Sequence, residues 1–177
     1  MPKIMLTLDG QVFRRQYLIY VIELTNGGKK YFYVGQTGDR KYTTARPPVR
    51  RFMGHLEDVG RSTQNQLYRF VAADILGIEE ARRRAAFTEE VKLRVEDFFV
   101  ESALHMHVYH LEPFTPGISH VDHTAILKKV EELERHVLKR FRDAGFKLAN
   151  KNLHAPKDRV PPYPEVFSRL LCDFSLP

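Results

Sequence analysis

Two tyrosines, an arginine and a glutamate, drawn from four separate segments, carry most of the chemistry this sequence offers: Tyr20, Tyr33, Arg51 and Glu134. A phenol donates and accepts hydrogen bonds, and a nearby cation favours its phenolate, although its unperturbed pKa is near 10. A guanidinium presents a fixed fork of donors to an anionic oxygen, which a lysine does not reproduce. A carboxylate at the rim of a buried helix face has lost part of its hydration and needs a compensating metal cation or basic side chain. His55 lies four residues after Arg51, which puts both on one helix face.

The tyrosines need strands to meet. Residues Tyr17 to Leu24 and Tyr31 to Thr37 are rich in β-branched and aromatic side chains, and the link between them contains Asn26-Gly27-Gly28. That pattern predicts two antiparallel strands and a tight turn. The first strand is apolar on both faces, so it should be central and covered on both sides. Gly35 then marks a place where a larger side chain does not fit.

Helices should position the rest. Pro47-Pro48 predicts a helix running to about Val59, with Val49, Phe52, Met53, Leu56 and Val59 as its apolar stripe and Gly60 as its stop. A second helix is expected from about Gln64 to Leu76, ended by Gly77, and a third through the charged run Glu79 to Phe99. Arg82-Arg83-Arg84 in that run reads as a solvated face. Residues 103–111 alternate and predict another strand, and Ile4 to Leu8 an edge strand. Val121 to about Ala144 is the clearest helix, with Ile126, Val130, Leu133, Val137 and Phe141 on its buried face and Gly145 after it. At ~100° per residue, Glu134 falls about 50° from the centre of that face, whereas Glu132 points away from it.

Leu18-Ile19-Tyr20 and Tyr33-Val34-Gly35, continued by Gln36-Thr37, resemble the paired triplets of the GIY-YIG nuclease family, with Leu18 where the family usually has glycine. Arg51 and His55 are similar to its Arg-x-x-x-His pair, which selects Arg51 over the adjacent Arg50. Glu134 with Leu148-Ala149-Asn150 is similar to its third part. The resemblance covers about residues 16–150. It implies a phosphodiester hydrolase acting on nucleic acid, DNA ahead of RNA, in which Glu134 holds one divalent ion, Mg2+ ahead of Mn2+. Arg51 would clamp the scissile phosphate and Tyr20 would act as base with Tyr33 supporting it. Asn150 would contact substrate or hold the site, with Asn152 as its competitor. The basic residues Arg40, Lys41, Arg46 and Arg50 would contact nucleic acid.

The whole chain is compatible with this. It reads as an α/β protein of α+β type: a small, mainly antiparallel central sheet flanked by helices. Residues 1–150 form the main domain with 61–102 as a helical insertion, and 151–177, proline-rich, form a wrapping tail. A net charge of +6 points to a polyanionic partner. One cysteine among 177 residues excludes an internal disulfide framework and fits a reducing compartment, the cytoplasm. No stretch approaches the ~20 apolar residues of a membrane span, and the N-terminus lacks a signal-peptide pattern. The eight histidines lack the Cys/His spacing of a zinc site and read as surface or core residues. Two other readings stay open: a nucleic-acid-binding protein without cleavage, motivated by Leu18, and an interaction domain, motivated by the charged helix. Oligomeric state is open too.

Overall fold

The computed structural model describes residues 7–58, 65–82, 87–151 and 154–176. Strands β1 (Gln16–Asn26) and β2 (Lys29–Gln36) form the expected antiparallel hairpin. Its turn places Gly27 at φ +54° and Gly28 at +76°, a backbone region that glycine enters without a Cβ clash. Strand β3 (Ser102–Pro113) pairs antiparallel with the other edge of β1, and the short β4 (Lys147–Leu148) runs parallel to β2. The order is β3-β1-β2-β4. The molecule is thus α+β, a mainly antiparallel sheet with helices on both faces.

β1 is central and apolar on both sides because both sides are covered. Leu18, Tyr20, Ile22 and Leu24, with Tyr31 and Tyr33 of β2, pack beneath a layer of helices. That layer comprises α1 (Pro48–Leu56), α2 (Gln66–Phe70) with a π-helical continuation Val71–Ile75, and α3 (Glu89–Val100). The alternate residues Ile19, Val21, Phe32 and Val34 face α4 (His120–Asp143) and α5 (Pro164–Asp173). Each fully buried side chain of this size contributes about 1.5–3 kcal/mol, so both faces of the hairpin are firmly held. α2 and α3 therefore belong, with α1, to one of the two layers that close the sheet.

Several sequence expectations change. Glu79 to Phe99 is not one helix: a 3-10 turn spans Glu79–Arg82, and α3 begins only after Thr88, whose hydroxyl accepts from Val91 N (3.4 Å). Phe87, buried just before that cap, anchors the chain to the core and sets where α3 starts. Met53 is 54% exposed, while Pro48, Gly54 and His55 are the buried residues of α1. Phe52 and Leu56 of the expected stripe do pack against the core, but the helix is turned so that His55 meets the two tyrosines. Glu132 is buried, not outward: its carboxylate accepts from the backbone of Lys157 and Asp158 (2.9 Å for the latter) and from Arg135 Nη1 (2.8 Å). The tail reaches this side of α4 and covers it. Thr7 and Leu8 form no strand, and the rest of the expected edge strand lies outside the described residues, as do Val59, Gly60, Arg83, Arg84 and Asn152.

α4 itself matches its periodicity closely. Ser119 caps its start by accepting from Asp122 N (3.1 Å), and Gly145 at φ +79° follows its end. Among the described residues no helix is long and apolar enough to cross a membrane.

Candidate active site

Strand register decides that the two phenols meet. Tyr20 stands opposite Gly35 and Ile22 opposite Tyr33, so the tyrosines are diagonal neighbours on one face. Their ring centroids are 6.2 Å apart. An ideal Cβ on Gly35 would sit 2.5 Å from Tyr20 Cζ and closer still to the hydroxyl. Glycine is required there because the Tyr20 ring folds over the partner strand.

α1 supplies the next two groups. His55 Nε2 lies 2.7 Å from the Tyr20 hydroxyl, and its ring centroid is 4.2 Å from that of Tyr33. Arg51, one turn earlier, donates from Nε to the backbone oxygen of Gln36 (3.1 Å). Tyr33, Arg51, Glu134 and Asn150 all line one open hollow of about 350 Å³. Tyr20 and His55 stand behind its wall, and Tyr20 has no exposed surface.

Burial pushes the Tyr20 hydroxyl up to about 12, although Arg51 and the Tyr33 hydroxyl pull the other way. Tyr33 is raised well above the ordinary phenol range by burial, then by its neighbours Tyr20 and Glu134. Both are neutral phenols at neutral pH. The base role expected of Tyr20 is at odds with this placement, because a sealed, protonated phenol cannot meet a water in the hollow. Tyr33 is the phenol that lines it. Burial also lifts Glu134 to about 7, against the pull of Arg40, Arg51 and Arg135 and with the repulsion of Glu131 added. The sequence expectation of a partly desolvated carboxylate at the rim of α4 is met in this form.

Asn150 holds rather than reaches. Its side-chain amide accepts from Val34 N (2.9 Å) and donates to Val34 O (2.7 Å), adding one more rung where β4 ends. The basic residues divide. Arg40, Lys41 and Arg46 line the hollow, whereas Arg50 lines a neighbouring one. Arg40 pairs with Glu131 (2.6 Å) and Arg46 with Asp39 (2.6 Å). Six cationic side chains and three carboxylates line the main hollow among the described residues, a balance that favours an anionic ligand.

Sequence reasoning missed the residue that organises this wall. The Asp39 carboxylate accepts from Lys41 N (2.9 Å), Tyr42 N (3.2 Å) and Arg46. Its own backbone oxygen accepts from His123 Nε2 (2.9 Å). That bond fixes the tautomer: with Nε2 donating, His123 Nδ1 accepts from the Tyr17 hydroxyl (2.6 Å). In the sequence Asp39 only follows Gly38 at the start of a basic loop. Its role comes from Arg46, His123 and the loop closing on it, none of which is local.

Among the described residues no three His, Cys, Asp or Glu side chains gather as a metal site. The donors still suit one hard ion. Glu134 offers a carboxylate to the hollow; Gln36 lines it too, but its Oε1 is itself buried, against Gly38. Magnesium commonly takes only one or two protein carboxylates and fills the remaining positions with water and phosphate oxygens. No protein-family model matches the chain, and no curated protein or solved structure matches it.

Proposed function

We propose that the protein is a metal-dependent endonuclease of GIY-YIG type that hydrolyses phosphodiester bonds in nucleic acid, DNA ahead of RNA, in the cytoplasm. One observation carries the reading: Tyr33, Arg51 and Glu134, from three segments far apart in sequence, line a single open hollow of net positive charge, with Tyr20 and His55 directly behind it.

On this reading Arg51 holds the non-bridging oxygens of the scissile phosphate, and its bond to the Gln36 backbone fixes its fork. Glu134 would hold a magnesium or manganese ion, with water and phosphate oxygens completing its shell. When bound, that ion supplies charge stabilisation at phosphorus and at the leaving oxygen. The water that attacks phosphorus must lose a proton, and a free phenolate is too costly at this degree of burial. A relay avoids it. Tyr33 takes the proton from the water while passing its own to Tyr20, and Tyr20 passes one to His55 Nε2, 2.7 Å away. The new P–O bond forms as the bond to the leaving oxygen breaks.

The test is cleavage of supercoiled plasmid, single-stranded and branched DNA with magnesium or manganese. Tyr33→Phe should lower kcat by about 10²-fold or more, within the range of a lost proton-transfer group. Tyr20→Phe should lower it by a similar factor with an unchanged KM, because Tyr20 never touches substrate. Arg51→Lys should fail to restore the rate.

A second reading is favoured by a specific observation: Tyr20 is sealed and both phenols are protonated, as in a binding protein that has lost its chemistry. It predicts salt-sensitive binding with no nick in any substrate under either metal.

A further inference from the structure

Beside the candidate active site lies a second hollow of about 480 Å³, which shares Asp39 and Arg46 with it. Arg15 and Arg50 line it, and both are exposed. The Arg15 guanidinium lies over the Phe114 ring, 4.9 Å from its centroid, which holds it in place. Tyr42 lines it too, with a side chain that belongs to no core cluster: the residue is 58% exposed. Its position is nonetheless organised, because its backbone N–H is bound by the Asp39 carboxylate and Lys41 Nζ sits 5.2 Å from its ring centroid.

We propose that this second hollow binds an unpaired nucleotide of the substrate, with Tyr42 stacking on its base and Arg15 and Arg50 taking the phosphates on either side. The binding inference stands apart from the nuclease reading; only the placement of the nucleotide beside a cleavage point rests on it. The volume falls within the range of small-ligand sites. An exposed aromatic ring among guanidinium groups is the chemistry that grips single strands, since every base has a π-face and a duplex hides it. Glu57 also lines the hollow. A carboxylate repels phosphate but accepts hydrogen bonds from a base, so the base belongs on its side and the phosphates beside the arginines. The shared Asp39–Arg46 wall lets a strand run from this hollow into the first. The preferred substrate is therefore one with a single-stranded extension or junction next to the cleavage point.

The test is fluorescence anisotropy in EDTA, with labelled single-stranded DNA, a duplex carrying a single-stranded overhang, and a blunt duplex. Base–aromatic stacking contributes about 1–3 kcal/mol per base, so Tyr42→Ala should weaken single-strand and overhang binding by about 10-fold relative to blunt duplex. Tyr42→Phe should retain the preference, and Arg15→Ala with Arg50→Ala should reduce the salt dependence of overhang binding. Equal losses on all three ligands for Tyr42→Ala, or none, would overturn the proposal, and circular dichroism of each variant checks that it is folded. Cleavage is scored separately with magnesium. Tyr42-dependent strand preference without cleavage would overturn the nuclease reading and leave this one standing. Cleavage without Tyr42-dependent preference would do the reverse.

Discussion

At the scale of single residues, close approach and burial set what each group can do. Gly35 faces the Tyr20 ring at a distance no Cβ tolerates. Gly35→Ala should destabilise by about 1–3 kcal/mol, the usual cost of overpacking, and urea denaturation checks it. Glu134 makes a sharper case. Its pKa of about 7 lies above the ordinary carboxylate value of 4.5, so between those pH values the folded state binds more protons than the unfolded chain. Stability from this group is therefore lost as pH rises from about 4.5 through 7. Glu134→Gln should be more stable than the wild type at pH 8, by about 1 kcal/mol or 2–4 °C in Tm, with the gain shrinking toward pH 5. The same variant should lose metal-dependent activity. Thermal melts at the two pH values read the first effect independently of the second.

At the scale of elements, the loop between β2 and α1 depends on Asp39. Burial alone would raise its pKa. The hydrogen bonds from Lys41 N, Arg46 and Tyr42 N outweigh that and hold it below the ordinary value. The sign follows: the loop is held above the unfolded-state pKa of about 3.9 and released as pH falls through the folded value. Asp39→Ala should cost about 2–3 kcal/mol, since hydrogen bonds to a charged group are lost and Arg46 is left unpaired. It should also expose the loop to limited proteolysis between Gly38 and Arg46 at neutral pH, as acid should in the wild type. The hairpin and α4 were legible in the sequence because their signals are local: alternation around a Gly-Gly turn, and apolar residues at helical spacing. The start of α3, the rotation of α1 and the burial of Glu132 were not. Each is fixed by a partner distant in sequence: the core that takes Phe87, the tyrosine pair under His55, and the tail backbone at Lys157 and Asp158.

At the scale of the whole molecule, the sheet faces divide their work. One side of β1–β2, closed by α1, α2 and α3, buries the phenols and His55. The other, closed by α4 and α5, fixes the helix that carries Glu134. The hollow opens where the β2–α1 loop, α1, α4 and the segment after β4 come together. Tyr33, Arg51, Glu134 and Asn150, which meet at the hollow, could be named from residue type and order, and Asp39 could not. Which site residues are exposed could not be read either, because exposure depends on how α1 seats on the hairpin: it closes over Tyr20 and leaves Tyr33 at the wall. The central claim is tested most directly by the rate at which supercoiled plasmid becomes open-circular in magnesium, compared between the wild type and Glu134→Ala with EDTA controls. The account predicts nicking that EDTA stops and that Glu134→Ala slows by about 10²-fold or more. Equal rates for the two proteins, or no nicking by the wild type with any metal or substrate, would contradict it.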